Sequence, residues 1–166
     1  MTQGLFELQT PQDLLEKLQR EYRRLEQAPL DQDVAFNLFI TAEHIPDWLY
    51  PGDRGSVNAE IRSKLKKSNN YLVVCSDIAN GSKHFKVNPD RHHSVSGTSI
   101  KGAFDSNAFD NKAFDVARLV IDLDGEAANQ LGSSIDAIEL AHEVLEFWKS
   151  YIADKASNNA LKADAG

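Results

Sequence analysis

Asparagine, lysine and histidine crowd into five residues, Asn80-Gly81-Ser82-Lys83-His84, directly after the apolar run 71–79 that also carries Asp77. A histidine that titrates near neutrality exchanges protons, a lysine steadies a developing phosphate charge, and an asparagine orients either group. His84, Lys83, Asn80 and Asp77 are therefore the first candidates for catalysis, and metal-independent RNA cleavage is the chemistry they suit. The same residue types cap helices and anchor following segments, so an architectural role competes with the catalytic one.

A second set of candidates is electrostatic. The net charge is −7, yet residues 54–101 hold nine bases and three acids, so this segment is about +6 and the remainder about −13. If Arg62, Lys66, Lys67, Lys86 and Arg91 share a face, they make a field for phosphate, RNA or an acidic partner. A solvated helix surface is the competing reading.

A third set is metal-ligating. Glu139-Leu140-Ala141-His142 is an acid-x-x-His spacing that puts both side chains on one helix face, and Glu43 and His44, with Asp47, can answer from an earlier helix. A diiron bundle needs two such motifs and further glutamates, and one copy is present, so no metal or other cofactor is expected. Adjacent His92 and His93 point to opposite sides of a strand and do not suit one ion. Cys75 lies in an apolar run, where a thiol stays protonated and inaccessible; a core role is expected. The chain carries no glycine-rich phosphate loop, paired-cysteine zinc motif or serine nucleophile elbow.

The elements that must position these residues are mostly helical. Thr10 and Asp13 form a capping box around Pro11, and Leu14, Leu18, Tyr22 and Leu25 make one apolar stripe that ends before Pro29. Asp31 caps a second helix, apolar over more than one stripe and hence central, which Pro46 should kink before Pro51-Gly52 ends it. Ser56 or Asn58 starts a third helix with Val57, Ile61 and Leu65 as its apolar face. Tyr71, Val74, Cys75, Ile78 and Ala79 follow helical spacing and give a fourth. Residues 93–100 then read as an edge strand, 116–123 as a second strand, and Asp124-Gly125 as a hairpin turn. A last helix is expected from Ser133-Ser134-Ile135-Asp136, with Trp148 on its apolar face, and residues 154–166 have the composition of a flexible tail.

Three copies of Ala-Phe-Asp recur at a period of five, at residues 103–105, 108–110 and 113–115. Three copies are too few to stack as a solenoid. The repeat is either an interstrand loop lengthened by duplication or a protruding loop whose Phe104, Phe109 and Phe114 meet a protein partner.

Residues 35–37, 41–44 and 47–48, followed by Asp77-Ile78-Ala79-Asn80-Gly81-Ser82-Lys83-His84-Phe85, resemble uncharacterised bacterial and phage-associated proteins over most of residues 30–152. That resemblance implies no known activity. More loosely, a helical bundle with an Asn-x-x-Lys-His segment late in the chain is similar to HEPN domains, small α-helical proteins that often serve as RNases and commonly form homodimers. The HEPN pattern places an arginine at the position of Asp77, Ile78 or Ala79, and none is arginine, so only His84 carries over.

The expected fold is mainly α: one domain over residues 1–153, a bundle of about five helices with a small antiparallel β-hairpin inserted between the fourth and fifth, approximately over 86–132. No apolar run approaches the roughly 20 residues that cross a bilayer, and residues 1–10 lack a basic region followed by an apolar core. With one cysteine and no internal disulfide, a cytoplasmic location is expected. The leading functional expectation is a helical interaction module with a basic face for an anionic partner. A metal-independent HEPN-like RNase using His84 and Lys83 is its rival, and a metal-dependent bundle enzyme is a third reading.

Overall fold

The computed structural model describes residues 6–83, 94–102 and 117–163. Their elements run α1 (Pro11–Gln27), α2 (Gln32–Leu49), α3 (Val57–Lys66), α4 (Asn70–Lys83), β1 (Val95–Lys101), β2 (Arg118–Leu123), α5 (Gly125–Leu131), β3 (Ser134–Asp136) and α6 (Ala137–Ala163). The fold is mainly α with a small antiparallel sheet inserted after α4.

Local chemistry sets the helix starts. Thr10 accepts from the Asp13 N–H at 3.2 Å while the Asp13 carboxylate accepts from the Thr10 N–H at 2.7 Å, a reciprocal capping box with Pro11 at the first helical position. Bonds donated to it by the Gln9 N–H, the Thr10 hydroxyl and the Thr10 N–H hold the Asp13 carboxyl below its usual range. Asp31 caps α2 by accepting from the backbone of Asp33 and Val34, and Ser56 caps α3 by accepting from Ala59. Pro46 is fully buried, and α2 runs through it to Leu49; a proline inside a helix removes one ladder bond, while the Tyr50 N–H still reaches the Pro46 carbonyl at 3.0 Å.

α2 is the hub, packing against α1, α3, α4 and α6. Its buried Leu38, Phe39, Ala42 and Ile45 meet Leu14, Leu18 and Leu25 of α1, Leu72 and Val74 of α4, and Leu140, Val144 and Trp148 of α6 in one core. Trp148, the largest fully buried side chain, meets Phe147 and Tyr151 edge-on. Burying such aromatic bodies supplies much of the hydrophobic stabilisation.

The sheet has the order β1-β2-β3, antiparallel throughout, with β2 in the middle. The β1–β2 register runs from Val95 opposite Leu123 to Lys101 opposite Arg118, with a shift between Val95 and Gly97 that leaves Ser96 as the extra residue. β2 buries Leu119, Ile121 and Leu123 in the core.

The structure corrects four details of the sequence expectation. Asp124-Gly125 is a helix start instead of a hairpin turn: Asp124 caps the short α5, with Gly125 at φ +57°, a conformation glycine adopts without strain. Residues 134–136, expected as a helix start, pair with β2 as β3, and α6 begins one residue later. The described residues therefore hold six helices and three strands. Val57, expected on the apolar face of α3, is 73% exposed. Finally, α6 continues to Ala163, so helix covers most of the stretch whose composition reads as a tail.

Candidate functional site

α2 places Glu43 and Asp47 four residues apart, and α3 places Arg62 and Lys66 four residues apart, so each pair shares one helix face. The two faces meet as a ladder. Arg62 Nε lies 3.1 Å from Asp47 Oδ1, and Lys66 Nζ lies 2.6 Å from Glu43 Oε1 and 3.9 Å from Asp47 Oδ2. Arg62 also donates to the carbonyls of Tyr50 and Gly52, tying α3 to the loop that leaves α2.

Glu43 is the inner end of this ladder and is only 8% exposed. Its Oε1 also accepts from Ser76 Oγ of α4 at 3.2 Å, so one carboxylate joins three helices. Asn80, one turn further along α4, donates back to the Ser76 carbonyl at 2.8 Å. Asp47, at the outer end, takes a contact from His44 Nδ1 at 3.6 Å. That interaction, opposed by burial and reinforced by Lys66 and Arg62, holds the Asp47 carboxyl below its usual range. Beside the cluster, burial and the Glu43 charge push the Cys75 thiol well above its ordinary value, and its Sγ lies 3.5 Å from the Phe39 carbonyl. A fully buried, protonated thiol is a packing residue.

Of the four residues proposed for catalysis, the described contacts concern Asp77 and Asn80. Asp77 accepts from both the backbone N–H (3.0 Å) and the hydroxyl of Ser94, clamping the start of β1 onto α4. Asn80 turns to Ser76 instead. Lys83 closes α4, but its side chain and all of His84 lie outside the described residues.

Of the five bases proposed as an anion site, Lys86 and Arg91 also lie outside the described residues. Arg62 and Lys66 are turned inward onto Asp47 and Glu43. Lys67 is exposed at the C-cap of α3. The sequence reading did not single out Lys64 and Arg54, which are also exposed, and among the described residues none of these three cations has an ion-pair partner. The i,i+4 spacing of two acids on one helix and two bases on the next was the available signal.

The alternative metal set is likewise dispersed among other contacts. Glu43 and His44 belong to the α2–α3 ladder, whereas His142 of α6 packs its ring 6.0 Å from that of Tyr22. Burial, with the charges of Glu143 and then Glu139, raises the Tyr71 hydroxyl, and Glu139 lies one turn before His142. Among the described residues, no three His, Cys, Asp or Glu side chains converge as a metal site. Phe104, Phe109 and Phe114 of the repeat lie outside the described residues.

A separate polar contact locks the end of α2 to α6. The hydroxyls of Tyr50 and Tyr151 share a hydrogen bond at 2.6 Å, and Lys155 Nζ sits 3.7 Å above the Tyr50 ring. Burial and the Tyr50 hydrogen bond push Tyr151 up to about 12. Burial also acts to raise Tyr50, but its bonds to Tyr151 and Lys155 outweigh this and lower it.

No protein-family model, curated protein or solved structure matches the chain.

Proposed function

We propose that this chain is a nonenzymatic interaction module that docks an acidic segment of a partner protein along the outer stripe of α3. The division of the α3 cations carries the reading: Arg62 and Lys66 are neutralised by Asp47 and Glu43, while exposed Lys64 and Lys67 have no ion-pair partner among the described residues. At 100° per residue, Val57, Glu60, Lys64 and Lys67 fall on one side of the helix, and Arg54 precedes it. A stripe with a 73% exposed valine at one end and unpaired lysines at the other suits a partner with an apolar anchor followed by carboxylates. RNA is the weaker fit for this stripe, because contacts of several cations to phosphates supply non-specific nucleic-acid binding. Glu60 also interrupts the few cations available here.

Fluorescence anisotropy tests the proposal with a labelled glutamate-rich peptide carrying one leucine, and with a short single-stranded RNA. The peptide is expected to bind, to weaken with added salt, and to lose about tenfold in affinity to the double variant Lys64→Glu/Lys67→Glu. Binding that ignores the charge reversal, or RNA bound more tightly than peptide, would overturn the reading. RNA cleaved in EDTA by the wild type but not by His84→Ala would replace it with the ribonuclease alternative.

A further inference from the structure

The β1–β2 register puts Thr98 opposite Ile121 and Ile100 opposite Leu119, so these four side chains share one face of the sheet. On β2 that face is sealed by the helices: Leu119 and Ile121 are buried in the core. On β1 it is not. Thr98 is exposed and Ile100 is 50% exposed, although their cross-strand partners are interior. The helical side shows the same edge, for Ala35 and Phe39 of α2 are buried while Phe36, between them, is 41% exposed. The helical layer covers β2 but leaves Thr98 and Ile100 of β1 exposed, and a groove of about 120 Å³ beside Thr98 is walled by Phe36, Phe39, Ile78 and Ile121.

We propose that this groove binds a small neutral aromatic ligand of single-ring size carrying one hydrogen-bonding group. Size follows from the volume: an enclosed apolar cavity of about 150 Å³ accepts benzene, and this open groove offers comparable space. Ala35 and Ala137 keep the space open, because any larger side chain at either position would enter it. Neutrality follows from the lining, which among the described residues contains no charged side chain. A buried charge without a partner would meet a desolvation cost that this wall does not offset. The polar requirement comes from Gln32 of α2 and Thr98 of β1, which both line the groove. Among the described residues neither the Gln32 amide nor the Thr98 hydroxyl has a side-chain hydrogen-bond partner, so one ring substituent can satisfy either. The site belongs to α2, α4, the sheet and the start of α6, and is independent of the stripe on α3.

Methyl-resolved NMR of the full chain, titrated separately with phenol, benzene and benzoate, tests this directly. Phenol should shift the Ile78 and Ile121 methyl signals saturably, benzene should do so more weakly, and benzoate should leave them unmoved. Thr98→Leu, at an exposed edge-strand position, fills the groove from β1 and should weaken phenol binding by at least about tenfold at an unchanged melting temperature. The variant Lys64→Glu/Lys67→Glu should bind phenol as the wild type does. Absence of saturable shifts, equal response to benzoate, or undiminished binding by Thr98→Leu would each overturn the proposal.

Discussion

Removing the Lys66 ammonium leaves the Glu43 carboxylate almost wholly buried, with the Ser76 hydroxyl as its remaining described partner. An uncompensated interior charge is far more costly than a missing surface pair. Lys66→Met is therefore expected to lower stability by about 2 to 3 kcal/mol, read as a shift in the urea midpoint at constant slope. The double variant Lys66→Met/Glu43→Leu should recover most of that loss, since replacing both partners with apolar groups removes the stranded charge. Two single losses that simply added would show that the pair is not coupled. Tyr151 makes a second residue-level prediction. Its folded-state value of about 12 lies above the ordinary tyrosine value of about 10, so the folded protein holds this proton more tightly than the unfolded chain does. Its contribution is intact below about pH 10 and is lost as pH rises toward 12; Tyr50, shifted the other way, contributes with the opposite sign. Denaturation midpoints measured across this range should fall with pH in the wild type and fall less in Tyr151→Phe.

At the scale of elements, α3 differs from its neighbours because it buries no residue and is held by Leu65 and by the ladder to α2. Segments with little buried apolar surface open at low free energy. Amide exchange should accordingly be faster over Val57–Lys66 than in α2 or the first half of α6, and protection of α3 equal to that of α2 would contradict this account. The β1 strand has a different weak point. Its start is tied to α4 by the two bonds from Ser94 to Asp77, and the Ser94 carbonyl accepts from the Asp124 N–H. Charge-assisted bonds of this kind contribute about 1.5 to 3 kcal/mol. Asp77→Ala should destabilise the protein by a comparable amount, and the loss should be seen first as faster exchange in β1. If Asp77 instead served only a reaction, the variant would retain its wild-type melting temperature.

For the whole molecule, the segregation of charge noted along the chain is partly cancelled by folding. The basic α3 lies against acidic positions of α2, which pair with Arg62 and Lys66, while Lys64 and Lys67 are exposed. Among the described residues no helix is long and apolar enough to cross a membrane.

Much of this architecture could be read from local chemistry. The Thr10 capping box, the Asp31 and Ser56 caps, the broad apolar face of α2 and the helical spacing of α4 depend on neighbours within a few residues, which the sequence displays directly. The Asp124-Gly125 pair was ambiguous for an equally local reason: Asp-Gly suits a hairpin turn and an N-cap followed by a positive-φ glycine alike, and only the pairing of Ser134–Asp136 with β2 selects the second. The candidate site was less legible. Residue types and spacing determined which side chains can do chemistry, and located the cations of α3. Only tertiary packing decided that Asp77 clamps a strand, that Arg62 and Lys66 are neutralised by α2, and that a groove opens beside β1. Those outcomes depend on contacts between residues far apart in the chain, whose distances and burial are set by how the helices and sheet stack.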